Sequence, residues 1–231
     1  MRQDRKNNEL RQIKFTKDFT KHALGSILVE FGDTKVITTA SVDFSKPKWM
    51  GKDTVSGWVS AEYSLLPSST NTRCRRERTS VSGRTQEIQR LIGRSLRACV
   101  DMTKMPDITI IIDADVIQAD GGTRTASICG GFLALENAIE KLLAEGKILE
   151  SPIIEPIAAI SVGIVDGEVR LDLNYDEDSS AQADANVVLT KSGKIIEFQT
   201  TAEGEPFSKS QMLEIFELAQ KGVEEIINTK Y

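Results

Sequence analysis

Residues 108–125 read ITIIIDADVIQADGGTRT, and this stretch decides the fold. Its first part, 108–118, is rich in β-branched residues and is broken only by Asp113 and Asp115, which predicts a strand buried on much of its surface. Helical periodicity then runs from about 126 to 145, with Gly146 as the expected stop. The stretch therefore predicts a strand, a tight turn and a helix in direct succession.

The segments before this stretch are mostly β-like. Apolar and polar residues alternate over 26–31, turn at Gly32-Asp33 and resume over 34–42, which predicts a hairpin, and a further strand covers about 56–64. The segment 66–84 has no apolar periodicity and should be a long exposed loop, of the kind that binds a partner or is disordered. Apolar residues then recur at helical spacing over 85–100.

The segments after it repeat the same order. Strands at 157–165 and 168–173 flank an Asp-Gly turn, an acidic loop follows at 174–184, and a second hairpin pairs 186–190 with 194–200. A last helix begins near Ser208, whose partner Gln211 completes a capping box. Strands followed by helices occur twice, which predicts an α+β fold of two similar β-rich halves, 1–150 and 151–231, packed as one unit.

Composition limits the class of protein. The chain has 231 residues, 40% of them hydrophobic, which is enough for a full core. Cys74, Cys99 and Cys129 are far apart and form no CxxC pattern, so neither a zinc site nor a disulfide framework is indicated. The amino terminus is polar, and no segment is apolar over about 18 residues. We therefore expect a soluble cytoplasmic protein with reduced thiols and no membrane partner.

Charge is concentrated in one region. The chain carries a net charge of −5, but the window 73–104 holds nine basic and three acidic residues, 9 − 3 = +6, which leaves −5 − 6 = −11 for the rest. One alternative is a solvated basic face. Four arginines lie within 73–78, however, and such a cluster repels itself unless an anion relieves it. The window is typical of a surface that grips a phosphate backbone.

The turn at 120–127 is the best candidate for a phosphate site. Backbone N–H groups and the positive end of a helix converge there, the glycines allow close approach, and Arg124 offers a bidentate fork. A tight turn that merely needs glycine and a threonine cap explains the same residues about equally well. The GxxxxGK pattern of a Walker A loop is absent from the sequence.

Carboxylates cluster in the predicted loop 174–184. They could serve acid/base chemistry or bind Mg²⁺, although an acidic loop alone is more often only solvated. His22 is the sole histidine, so a mechanism that needs two is excluded, and we expect it to be structural.

Several long motifs carry a resemblance to a known family. They are RLIGRSLR at 90–97, DVIQADGGTRTAS at 115–127, GSILVEFGDTKV at 25–36, GRT at 83–85 and AISVGIV at 159–165. In these motifs, and over nearly its whole length, the chain resembles the bacterial ribonuclease PH family. The resemblance implies the ribonuclease PH fold, whose first half is like the second domain of a ribosomal protein.

The resemblance also implies an activity. Family members are phosphate-dependent 3′→5′ exoribonucleases, or nucleotidyltransferases, that trim precursor tRNA and other RNA 3′ ends. Inorganic phosphate is the co-substrate, nucleoside 5′-diphosphates are released, and the reaction is close enough to reversible to add nucleotides. The partners implied are RNA and further copies of the chain, in a homohexamer built as a trimer of dimers.

The family's functional residues map onto this chain in three groups. The resemblance implies phosphate binding by Arg84, Gly122, Thr123, Arg124 and Thr125. It implies catalysis, or binding of Mg²⁺, by Asp178 and Asp184. It implies RNA binding by Arg73, Arg75, Arg76 and Arg78.

The chain departs from the family pattern at several places. Where the family usually reads Leu-Pro-Arg-Ser/Ala-Thr-His-Thr-Arg, this chain has Ser68 and Asn71 in place of the first arginine and the histidine. One RNA contact should therefore be missing. Ser82 precedes Gly83 where the family has two glycines, and the amino terminus differs slightly from the usual Met-Arg-Pro-Asp-Gly-Arg.

Two other functions remain open at this point. A catalytically silent ring subunit would keep the fold as scaffold or RNA guide, but the retained arginines and aspartates weigh against it. A hydrolytic nuclease would need no phosphate and would release nucleoside monophosphates.

Overall fold

The computed structural model describes residue 2 and residues 5–51 and 53–229. The first sheet contains β1 (Ile13–Lys17), β2 (Gly25–Phe31), β3 (Thr34–Asp43), β4 (Trp58–Leu65) and β5 (Thr109–Gln118), in the order β1-β2-β3-β5-β4. Phe31 pairs with Thr34 across the turn at Gly32, which has a φ of 57°, so the predicted hairpin is confirmed. β4 and β5 are parallel, and the other pairs are antiparallel.

Two helices pack on this sheet, and both begin earlier than the sequence predicted. The helix α1 (Gly83–Ala98) starts where the Ser82 hydroxyl accepts a hydrogen bond from the Thr85 N–H, so Arg84 lies in its first turn and not in the preceding loop. The helix α2 (Thr123–Ala144) starts after Gly122 and not at about 126. A short 3₁₀ helix, Met102–Lys104, precedes β5.

The second sheet is antiparallel. It contains β6 (Ile157–Val165), β7 (Glu168–Leu171), β8 (Ala183–Thr190) and β9 (Ile195–Ala202), in the order β7-β6-β8-β9. The last helix, α4 (Lys209–Asn228), packs on β6, β7 and β8, and the capping box of Ser208 and Gln211 is present as predicted.

The acidic segment 174–184 is not the loop that the sequence predicted. It forms a short helix, α3 (Tyr175–Ser179), and Asp184 belongs to β8. The Asn174 side chain accepts from the Glu177 N–H, and the Glu177 carboxylate accepts from the Asn174 N–H. The positive end of the helix dipole also stabilises carboxylates in the first turn. The acidic residues are therefore held on an ordered element.

The helix α2 joins the two sheets. It contacts β2, β3 and β5 on one side and β6 and β8 on the other. A Cβ at Gly25 would lie 1.9 Å from the Ala134 carbonyl oxygen, so only glycine permits β2 to approach α2 this closely. Every residue of β6 is buried. The division of the chain near residue 150 stays a prediction, although each half contributes one sheet.

The described helices are all too short or too polar to span a lipid bilayer. All three cysteines are free thiols, and burial raises the pKa of both Cys99 and Cys129 to about 12.

Candidate active site

An open cleft of about 570 Å³ lies between the start of α2 and the edge of the second sheet. Six of the residues predicted for phosphate binding or catalysis line it: Arg84, Gly122, Thr123, Arg124, Asp178 and Asp184. They come from α1, the β5–α2 turn, the first turn of α2, α3 and β8. The fold thus gathers in one place residues that are up to a hundred positions apart in the chain.

The turn between β5 and α2 forms one wall. Gly121 and Gly122 both have left-handed backbones, with φ of 74° and 66°, which explains the two glycines. A Cβ at Gly121 would lie 2.4 Å from the Leu173 carbonyl oxygen. The Thr34 hydroxyl donates to the Gly121 carbonyl at 2.6 Å and accepts from the Asp120 N–H at 2.9 Å. We call residues 120–124 the phosphate turn.

The helix N-terminus at this turn is open. Gly122 is the N-cap of α2 and offers no side chain to satisfy the first helical N–H groups. Arg124 lies beside it, 3.8 Å from Glu87, with its side chain 16% exposed. Arg84 is exposed at the start of α1. Free N–H groups and two guanidinium groups around one cleft are suited to hold a multiply charged anion.

The two threonines of the predicted site have different surroundings. The Thr123 hydroxyl lies 2.9 Å from the Tyr63 hydroxyl and lines the cleft. The Thr125 side chain is buried, and its hydroxyl donates to the Gly122 carbonyl, so it holds the turn from within.

Asp178 on α3 and Asp184 on β8 form the acidic wall. Partial desolvation and the nearby Asp184 carboxylate raise the pKa of Asp178, while the guanidinium groups of Arg124, Arg84 and Arg11 oppose that shift. The Asn186 amide donates to Asp184 at 3.4 Å. Opposite charges therefore face one another across the cleft.

The predicted RNA-binding arginines lie outside the cleft. Arg73, Arg75, Arg76 and Arg78 are all exposed, on the segment that leads from β4 to α1. The base of this segment is tied to the end of β5, because the Ala119 N–H donates to the Ser69 carbonyl and the Leu66 N–H to the Val116 carbonyl. Thr70 lines the cleft, so the arginine-rich segment starts at its rim.

Sequence patterns missed the residues that support the cleft from behind. Arg11 and Asp172 form a buried ion pair of 2.8 Å beneath the phosphate turn, and they are 161 positions apart. No spacing rule could pair them. Glu177, one of the carboxylates of the predicted acidic loop, is buried and paired with Arg2 and Arg5. Its capping box with Asn174 could have been found in the sequence.

Within the part of the chain that the structure describes, no three His, Cys, Asp or Glu side chains are grouped to hold a metal ion. His22 is exposed in the segment before β2.

Comparison with known proteins identifies the family. Residues 9–139 match domain 1 of the 3′ exoribonuclease family, and residues 155–222 match its domain 2. Ribonuclease PH from two strains of Neisseria gonorrhoeae is 55% identical over 230 residues, which cover 98% of this chain and 94% of the relative.

Solved structures share the fold. The Archaeoglobus fulgidus exosome with RNA bound to the active site gives a TM-score of 0.81 at 20% identity, covering 96% of this chain and 89% of that one. An archaeal exosome core gives 0.77 at 19% identity, covering 96% and 87%. The identity to the curated relatives extends over almost the full length of the chain, and the chain belongs to the ribonuclease PH branch of the 3′ exoribonuclease family.

Proposed function

We propose that the cleft between the phosphate turn and the acidic wall is where inorganic phosphate attacks the terminal phosphodiester of an RNA 3′ end. As a ribonuclease PH the chain is a phosphorolytic exoribonuclease. One observation carries the placement of the reaction: the open N-terminus of α2, Arg84 and Arg124 share a cleft with Asp178 and Asp184.

The phosphate turn would bind and orient the nucleophile. The N–H groups after Gly122, with Arg84 and Arg124, neutralise phosphate and direct one oxygen at the terminal phosphorus. A new P–O bond forms as the bond to the 3′ oxygen breaks. The products are RNA shorter by one nucleotide, with a free 3′ hydroxyl, and a nucleoside 5′-diphosphate.

The acidic wall would act at the leaving 3′ oxygen. One carboxyl of Asp178 and Asp184 supplies its proton in phosphorolysis and takes it back in the reverse reaction, in which a nucleotide is added. The pair also fits Mg²⁺, because a cation would relieve the repulsion by which the Asp184 carboxylate raises the pKa of Asp178, and Mg²⁺ often binds one or two carboxylates together with substrate phosphates. Bound there, Mg²⁺ would stabilise developing negative charge.

The arginine-rich segment 73–78 would hold the body of the RNA. Its arginines are exposed beside the cleft mouth and form the basic part of an otherwise acidic chain. This arrangement supports precursor tRNA and other structured RNAs as substrates. Such substrates, together with three free thiols, support a cytoplasmic location.

We further propose a homohexamer built as a trimer of dimers. The structural neighbours include an exosome with bound RNA and an archaeal exosome core. Several copies of the segment 73–78 on one assembly would form a continuous basic surface, which a single acidic chain does not offer.

Nucleotide release from a short RNA, with and without inorganic phosphate, tests the function. Phosphate-dependent release of nucleoside diphosphates is expected. Release of monophosphates without phosphate would indicate a hydrolytic nuclease, and no release at all would indicate a silent ring subunit.

Variants of the two walls test the assignment of roles. Arg124→Ala should raise the KM for phosphate and lower kcat, because the nucleophile loses charge and alignment, while RNA binding is retained. Asp184→Asn should lower kcat by at least about 100-fold with little change in phosphate KM. Normal turnover of Asp178→Asn and Asp184→Asn would mean that the acidic wall takes no part in the reaction.

A further inference from the structure

Three arginines from the start of the chain reach behind both walls of the cleft. We call Arg2, Arg5 and Arg11, with the described residues that connect them, the N-terminal strap. Their side chains are almost fully buried, with exposures of 2%, 8% and 5%. Burial of an arginine side chain costs free energy unless its charge is paired and its N–H groups are hydrogen-bonded.

Arg2 holds the helix that carries Asp178. Its Nε donates to Glu177 Oε1 at 2.6 Å and its Nη2 to Glu177 Oε2 at 2.8 Å. The same Nη2 donates to the Leu171 carbonyl at 2.8 Å, at the end of β7. Arg5 adds a contact to Glu177 Oε2 at 3.3 Å and one to the Asp172 carbonyl at 2.7 Å. The first turn of α3 is therefore clamped against the end of β7.

Glu177 transmits this clamp to the acidic wall. It immediately precedes Asp178, and its carboxylate also accepts from the Asn174 N–H at the start of α3. A change in its position would rotate the short helix and, with it, the Asp178 carboxylate. The arginine contacts thus fix the orientation of a residue that they do not touch.

Arg11 fixes the position of the phosphate turn, as Arg2 and Arg5 fix that of α3. It forms a two-pronged pair with the buried Asp172 carboxylate, with Nε–Oδ2 at 3.1 Å and Nη2–Oδ1 at 2.8 Å. Its remaining donors point to the carbonyl oxygens of Asp120 and Gly121. Because these carbonyls lie in the phosphate turn, the guanidinium fixes a turn that lines the cleft.

A buried ion pair seldom adds net stability compared with apolar packing. The guanidinium groups of the N-terminal strap instead donate to the phosphate turn and to residues around α3, the helix that carries Asp178. We infer that the N-terminal strap is a positioning device with two separable parts: Arg11 aligns the phosphate turn, and Arg2 with Glu177 aligns Asp178. This inference rests on the proposed roles of the phosphate turn and of Asp178.

The two parts should be separable in kinetics. Arg11→Lys keeps a charge for Asp172 but cannot fork to the two carbonyls, so phosphate KM, and the Kd for inorganic phosphate measured by calorimetry, should rise about tenfold. Glu177→Gln keeps the shape but weakens the arginine clamp, so kcat should fall about tenfold while phosphate KM changes less than about twofold.

A control separates positioning from general loss of structure. Arg97→Lys alters a half-buried arginine that donates to the Val59 carbonyl at 2.9 Å and stacks on Trp58, away from the cleft. The Arg97→Lys variant should change neither kcat nor the KM for phosphate. If Glu177→Gln folds poorly, Arg2→Lys tests the same clamp, and a fall in kcat with little change in phosphate KM is expected.

The outcomes distinguish this inference from the proposed function. If Arg124→Ala raises phosphate KM but Arg11→Lys and Glu177→Gln lower only the fraction of active enzyme, the strap is merely structural and the inference is wrong. If Arg124→Ala leaves phosphate KM unchanged, the proposed phosphate site itself is wrong.

Discussion

At the scale of single residues, Gly121 shows most directly how backbone shape makes the site. Its left-handed φ of 74° and the 2.4 Å between an added Cβ and the Leu173 carbonyl oxygen exclude any side chain. Gly121→Ala should therefore lower the free energy of unfolding by about 2–4 kcal/mol, from strain and collision together, and raise phosphate KM. Gly146 is a matched control, because its φ is 67° but nothing lies within 4 Å of an added Cβ. Gly146→Ala should lower the free energy of unfolding by about 1–2 kcal/mol and leave the KM for phosphate unchanged. Equal effects of the two variants on KM would contradict this assignment.

Ser68 carries a second prediction at this scale. It is exposed, two residues before Thr70 at the cleft rim, and the resemblance noted in the sequence predicts arginine at this position. Ser68→Arg should tighten tRNA binding and steepen its salt dependence by roughly one phosphate contact, because one more counterion is released. Turnover of a short RNA should stay the same. Binding of tRNA measured at several salt concentrations would decide it, and an unchanged slope would mean that position 68 does not face the RNA.

At the scale of elements, an acidic strip lies where β4 and β5 pair. Glu62 is the register partner of Asp113, and Asp115 follows two residues later. Burial raises the pKa of Asp113 first of all, and the charges of Glu62 and Asp115 raise it further. A carboxyl whose pKa is raised on folding lowers stability above that pKa, and the penalty disappears as the pH falls through it. Asp113→Asn should raise Tm at about pH 7 by roughly 1–3 °C, with the gain shrinking toward about pH 4.

Asp101 is a control for this prediction, because its pKa is lowered in the folded protein and not raised. Hydrogen bonds from the Thr103 hydroxyl and N–H lower its pKa, so its contribution is present at neutral pH and lost in acid. Asp101→Asn should lower Tm slightly at about pH 7 and not in acid. Thermal unfolding of both variants across this range is the measurement, and a gain for Asp113→Asn that does not vary with pH would contradict the argument.

The elements also show what sequence could and could not predict. Hairpins and long helices follow from local alternation and periodicity, so β2–β3, β6–β7 and α4 were predicted close to their observed bounds. Apolar periodicity begins two or three residues after the observed starts of α1 and α2, because a helix begins at its cap and not at its first apolar residue. Arg84 and Arg124 could be found because they lie in recognisable motifs. Arg11 and Asp172 could not, since only the tertiary fold brings them together.

At the scale of the whole molecule, the exposed arginines and the acidic remainder of the chain lead to a prediction about assembly. The active form should be a ring-shaped oligomer, because only several copies of the segment 73–78 would give tRNA a broad basic surface. Light scattering coupled to chromatography, with activity measured across the peak, is the test. A fully active monomer would contradict the prediction.

The contacts of α2 have a mechanical consequence. This helix begins at the phosphate turn and packs against both sheets, so the cleft walls share one core and cannot rock apart unless buried side chains separate. We therefore expect that the two cleft walls do not close on the substrate by a relative motion of the two sheets. After each cleavage the protein stays as a stationary frame, and the shortened RNA strand must advance by one nucleotide to reach the same pair of walls.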